Sequence, residues 1–185
     1  MEIRVAHLND VEQLQRLERQ NVNDELGNES QTHGLDGQTF GANELTHLIE
    51  QGCIVIAEDR TEIVGYVIAG PWAFFQSWPV YRHILKQLGQ FSVNGVKLTQ
   101  TNSCQYGPIW IKKSYRGQGI FEQLVTILKG HVSTQFPFML TFIAEDNMTS
   151  FSAHTNKASM QVLDFFTFDD RDYYLLVLPT QVRCR

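Results

Sequence analysis

The sequence predicts an α/β fold with a mixed, largely antiparallel central sheet and helices on both faces. Three observations predict it. Two strand-like runs, Cys53 to Glu58 and Ile63 to Gly70, flank the turn Asp59-Arg60-Thr61-Glu62 and read as a hairpin. The β-prone run Tyr106 to Ile111 passes through glycines into a helix-like stretch, Phe121 to Val132, and then into the apolar run Phe138 to Ala144. That order is a strand–helix–strand crossover. A hairpin and a crossover in one chain call for a mixed sheet covered by helices.

The remaining elements follow in order. Ile3 to Ala6 alternates like a first strand. Asn9 precedes Val11, Leu14 and Leu17 at helical spacing, and Glu12 falls three residues after Asn9, as a capping box would place it. Gly27 to Gly41 is polar and glycine-rich, which predicts a surface loop or short lid. Ala42 to Glu50 reads as a second helix. An aromatic-rich insert at about residues 71–100 carries Trp72, Phe74, Phe75, Trp78, Tyr81 and Phe91, with a helix expected over Val80 to Leu88. Ser150 to Leu163 is expected to be helical, and Tyr173 to Leu178 closes the sheet.

Composition narrows the class. A chain of 185 residues fits one domain, 1–185, with a sizeable core. Hydrophobic residues at 43% and charged residues at 19% are a globular balance. A net charge of −5 is opposite to the basic footprint of a nucleic-acid binder. Cys53, Cys104 and Cys184 are odd in number and widely spaced, so neither a disulfide framework nor a zinc site is expected. MEIRVAHLND has no apolar signal core, and no run reaches the length of about 18 apolar residues that a membrane span needs. The cytoplasm is the expected location, with no membrane partner.

The chemistry centres on Tyr115-Arg116-Gly117-Gln118-Gly119-Ile120-Phe121. Glycines let the backbone approach a ligand. The start of the following helix offers N–H groups without helical partners and the positive end of a dipole, which together favour an anion. Arg116 adds a forked, charge-assisted donor. The P-loop pattern is excluded because no Lys-Ser/Thr pair follows the glycines, and the dinucleotide fingerprint is excluded because Glu122 stands where its third glycine belongs.

This stretch resembles the Arg-x-x-Gly-x-Gly/Ala loop of the GNAT superfamily, the acyl-CoA-dependent N-acyltransferases. Arg116, Gly119 and the preceding Tyr115 match the loop, whereas Phe121 stands where the family usually has Gly or Ala. The resemblance spans about residues 3 to 178. IRVAHLNDVEQL is similar to the family's opening strand and helix, IVIAEDRTEIVGYVIAG to its central hairpin, and IWIKKSYRGQGI to its cofactor strand and loop.

The resemblance implies acetyl-CoA as co-substrate, with no metal. Its pantetheine arm would pair with main-chain groups of Ile109, Trp110 and Ile111, and its pyrophosphate would lie on Arg116, Gly117, Gln118, Gly119, Ile120 and Phe121. Asn147 would contact the pantetheine arm, or cap the helix after it. Many relatives carry a catalytic Tyr seven residues after that Asn, which lands on His154 here. Counting back from the family's Lys-x-Gly-Phe ending, matched to Lys157-Ala158-Ser159-Met160, lands on Thr155 instead. His154 is the candidate acid or a substrate contact, since imidazole can transfer protons near neutral pH. No base is identifiable; Gln105, Tyr106, Glu145 and Asp146 fall near the expected cleft.

The expected activity is direct transfer of an acetyl group to an amine of a small molecule or peptide. A non-catalytic acyl-CoA-binding or sensing domain of the same fold is the alternative. The aromatic insert would line an acceptor pocket, or form a satellite core or homodimer face.

Overall fold

The computed structural model describes residues 1–21 and 39–181. Seven strands make one sheet in the order β1 (Glu2–Val5), β2 (Ile54–Asp59), β3 (Glu62–Gly70), β6 (Ser103–Ile111), β7 (Phe138–Ala144), β9 (Arg171–Pro179), β8 (Gln161–Phe168). A separate two-stranded hairpin joins β4 (Ser92–Val93) to β5 (Val96–Lys97). The helices are α1 (Val11–Asn21), α2 (Ala42–Glu50), α3 (Pro79–Gln87), α4 (Ile120–Val132) and α5 (Met148–Ser152). The polar loop expected between Gly27 and Gly41 lies mostly outside the described residues.

The chain divides into two compact units, Met1–Ala69 with Gly107–His131, and Gly70–Tyr106 with Val132–Arg185. In the first, β1 pairs antiparallel with β2 from Glu2↔Glu58 to Val5↔Val55. β2 pairs antiparallel with β3 from Ile54↔Ile68 to Asp59↔Glu62, with a bulge between Ala57 and Glu58. Residues Ile63 to Gly70 are buried on both pleat faces, so these strands read as continuous apolar runs and not as alternation.

The corner between β1 and α1 is ionic. The Arg4 guanidinium donates to Asp10 at 2.8 and 3.0 Å and to Glu58 Oε2 at 3.0 Å. Asp10 Oδ2 in turn accepts the His7 N–H at 2.6 Å. The helix-opening box is therefore His7 with Asp10, one short 3-10 turn ahead of the expected Asn9 and Glu12. Asp10 wins because Arg4 holds its carboxylate in place. At α2, the Gly41 N–H donates to Glu44 Oε2 at 2.7 Å.

In the second unit, the first half of β6 pairs in parallel with β7 at Ser103↔Phe138, Cys104↔Met139 and Gln105↔Leu140. β7 pairs antiparallel with β9 along its whole length. The aromatic insert packs as a satellite core. Trp72 Nε1–H donates to Ser103 Oγ at 3.0 Å, and Phe75 lies 5.0 Å from Tyr81, which meets Phe142 edge-on at 5.2 Å. Phe142 continues the chain of rings to Tyr173 and Phe166.

One expected helix is corrected. Ser150 to Leu163 is helical only as far as Lys157, through α5 and a π-turn over Ala153–Lys157. The chain then reverses at Ser159, with φ of 56°, and enters β8. Strand β8 pairs with β9 across a tight turn in which Asp169 and Asp170 both have positive φ, the geometry that matches the twist of paired strands. The run VLDFFTF is rich in β-branched and aromatic residues, and pairing with β9 overrides the helical spacing that precedes it.

No helix among the described residues is long and apolar enough to cross a membrane. Cys53 and Cys104 are buried, and neither is in a disulfide.

Candidate active site

The glycine loop is built by a sharp exit from β6. Lys112 N–H donates to Val64 O at 2.8 Å, and Tyr115 N–H donates to Lys112 O at 2.8 Å. A 3-10 turn over Lys113–Tyr115 delivers Arg116, whose Nε–H folds back onto the carbonyl of Ile111 at 2.8 Å. Tyr115 Oη donates to Asp59 Oδ2 at 2.8 Å, which pins the loop to the β2–β3 turn. That bond holds the Asp59 carboxyl below its ordinary pKa and pushes the Tyr115 phenol above its own.

Gly117 and Gly119 both adopt φ of 77°, which disfavours any residue with a Cβ. Space is not what requires them. A Cβ at Gly117 would meet no atom within 4 Å, and at Gly119 only Gln123 Nε2 at 4.0 Å. Gly117 and Gln118 are exposed, while Ile120 and Phe121 are buried at the start of α4. Phe121 is 5% exposed. The first turn of an α-helix leaves N–H groups without helical acceptors, and here that turn begins at Ile120, just after two positive-φ glycines. Backbone donors, an arginine and open space above the glycines fit a phosphate-bearing ligand.

Ile109, Trp110 and Ile111 are buried along β6. Trp110 sits 5.8 Å from Tyr66 of β3, ring to ring. Pro108, just before them, has no N–H for a ladder.

In the second unit, Asn147 caps α5. Its Oδ1 accepts the Ser150 N–H at 3.1 Å. His154 is buried at 2% exposure in the π-turn, and its Nδ1 lies 2.7 Å from Ser150 O. A carbonyl can only accept, so Nδ1 carries the proton. Burial pulls the imidazole down to about 4, which keeps it neutral at physiological pH. The imidazolium that the expected acid role needs is therefore absent near neutrality. His154 meets Tyr106 edge-on at 5.4 Å. Thr155 Oγ1–H donates to Phe151 O at 2.8 Å.

Ser159 takes the left-handed conformation that glycine favours, and Met160 behind it is buried.

A feature not expected from the sequence lies in the first unit. Glu18 of α1 is 3% exposed, and its Oε1 accepts the Tyr66 hydroxyl at 2.6 Å. Burial raises its carboxyl to about 7, against the opposing effects of Tyr66 and the Phe40 N–H. The signal was present: Glu18 follows buried Leu14 by four residues, on the apolar stripe of the helix. A carboxylate on that stripe needs a partner or a purpose.

No family model matches the chain, and no curated protein matches it. Solved structures do: the fold is that of the GNAT acetyltransferases. The acetyl-CoA-bound yncA of Salmonella typhimurium aligns with a TM-score of 0.66 at 14% identity, over 100% of this chain and 96% of that one. A ribosomal-protein-alanine N-acetyltransferase from Brucella melitensis aligns at 0.61 and 17%, over 97% and 99%. A phosphinothricin acetyltransferase from Sinorhizobium meliloti, in complex with acetyl-CoA, aligns at 0.61 and 16%, over 96% and 87%.

Proposed function

We propose that this chain is a GNAT-type N-acetyltransferase that moves an acetyl group from acetyl-CoA to an amine of a small molecule or peptide, in the cytoplasm. The observation that carries the reading is the loop after β6: two glycines at φ of 77°, an arginine and a helix start, on a fold shared with acetyl-CoA-bound structures. Bound there, acetyl-CoA supplies an activated acyl group as a thioester.

The chain's own groups would act as follows. Loop amides from Gly117 to Phe121 hold the pyrophosphate, and Arg116 adds charge while its Nε–H braces the end of β6. Main-chain groups of Ile109, Trp110 and Ile111 pair with the pantetheine arm as an added strand would. Asn147, in the second unit, keeps its cap of α5. A backbone N–H near Ile111 polarises the carbonyl to be attacked. No covalent enzyme intermediate is needed, and the buried Cys53 and Cys104 have no part in the reaction.

Titration calorimetry with acetyl-CoA, and thiol release on a panel of spermidine, tyramine, L-lysine and an alanine-started peptide, test this reading. Micromolar binding that weakens by about 10-fold or more in Arg116→Ala, the value of a charged hydrogen bond, together with release on at least one amine, is the expected result. Absence of binding would overturn it. The neutral state of His154 favours a second reading, an acyl-CoA-binding domain without turnover. Binding without release on any amine would select that one.

A further inference from the structure

Strand β8 ends the strand order, and no strand among the described residues pairs with its outer edge. Such an edge presents a row of N–H and C=O groups to any chain that can pair with them, and proteins usually blunt it with charge, Pro or shortness. Strand β1, at the other end of the order, follows that practice: it has four residues, and Glu2 and Arg4 are two of them. β8 does not. It runs for eight residues, Gln161 to Phe168, with Asp164 as its one charge and no Pro.

Its side chains add to the exposure. Val162 is 50% exposed and Phe165 is 49% exposed. Val162 stands opposite Leu176 and Phe165 opposite Tyr174, with the bulge at Leu163 between them. Leu176 and Tyr174 are two positions apart on β9, so Val162 and Phe165 share one face of the sheet. On that face Tyr174 lies 5.1 Å from Phe165 and 4.4 Å from Phe151 of α5, ring to ring. Met148, one helical turn before Phe151, is 58% exposed. Of the five large hydrophobic side chains exposed among the described residues, three therefore lie on β8 or on the helix packed beside it, and that clustering marks an interaction surface.

We propose that the outer edge of β8 pairs antiparallel with β8 of a second copy of this chain, about a two-fold axis between Leu163 and Asp164. The occupant is a second copy because the strip matches itself. That register sets Val162 opposite the partner's Phe165, and Phe165 opposite the partner's Val162, on the same face. An aromatic against a β-branched side chain is a favourable cross-strand pair. Asp164 faces the partner's Leu163, so the one charge of the strand does not meet its own copy. Beyond the strand ends, exposed Lys157 of one chain lies toward exposed Asp169 and Asp170 of the other. A parallel arrangement would instead set the acids of both copies side by side. The pairing closes at two chains, because each offers this edge once. It goes beyond the acetyltransferase reading and does not depend on it.

Sedimentation velocity on the full chain, from low to high micromolar concentration, tests the pairing. An edge of eight residues makes a small interface, so a monomer–dimer equilibrium in the micromolar range is expected. Phe165→Lys and Val162→Lys should each raise the dimer Kd by about 10-fold or more, since each change is felt twice about a two-fold axis. Hydrogen exchange at the amides of Gln161–Phe168 should slow as the wild-type concentration rises, which a contact elsewhere on the chain would not cause. Both side chains are half exposed, so the variants should keep the wild-type circular dichroism. If one does not fold the other decides, and if neither folds the wild-type exchange decides. A chain that stays monomeric at high micromolar concentration, a dimer indifferent to both variants, β8 amides indifferent to concentration, or assemblies that grow past two copies would overturn the proposal. Titration with acetyl-CoA is a separate readout, and its failure would touch only the acetyltransferase reading.

Discussion

The Tyr115 hydroxyl donates to Asp59 at 2.8 Å, so the loop that follows β6 is held by a residue at the end of β2, 56 positions earlier. Because Asp59 stays ionised well below its ordinary pKa, this tether is charge-assisted at neutral pH. Tyr115→Phe should therefore raise the Kd for acetyl-CoA several-fold while leaving the melting temperature close to wild type. Calorimetry and thermal denaturation measure both.

Gly119→Ala separates conformation from space. The site has room for a methyl group, but φ of 77° does not suit an L-residue. The expected loss is about 1–2 kcal/mol in urea denaturation, or else a loop that relaxes at the expense of acetyl-CoA affinity. An alanine variant unchanged in both measurements would contradict the assignment.

Ser159→Gly should move the other way. Ser159 is an exposed non-glycine residue at φ of 56°. Relieving it should stabilise the chain by up to about 1 kcal/mol, net of the greater freedom of glycine in the unfolded chain. The urea midpoint reports it.

Two buried groups make stability depend on pH with opposite signs. The Glu18 carboxyl is raised from 4.5 to about 7 on folding, so its contribution is complete below 4.5 and drains away as pH climbs through 7. The upper bound is on the order of 3 kcal/mol. His154 is lowered from 6.5 to about 4, so its contribution is complete above 6.5 and is lost as pH falls through 4. In the wild type the two slopes oppose each other. Across a urea series from pH 4 to 8, Glu18→Gln should become more stable with rising pH up to about 6.5, and His154→Gln less stable up to about 7.

Much of the fold was legible because its local signals agree with the pairing. Phe138–Ala144 and Ala42–Glu50 have the expected ends, since an apolar strand and a helix with Gly41 and Glu44 at its start leave little choice. The β4–β5 hairpin was missed although Asn94-Gly95, both at positive φ, spells its turn, because two-residue strands carry no periodicity. Strand β8 was missed because its pairing with β9 is a long-range effect. The turn before α4 was readable from its two glycines, which both take positive φ. The Glu18–Tyr66 pair was not, because it joins positions 48 apart and nothing local marks either residue as the other's partner.

The two glycines of the loop have one more implication. A surface that recognises its ligand through peptide amides asks almost nothing of the side chains around it. Apart from Arg116 and Tyr115, which hold the loop by their own hydrogen bonds, the torsions at Gly117 and Gly119 are what such a surface requires. The fold itself is shared at 14% identity over 100% of the chain.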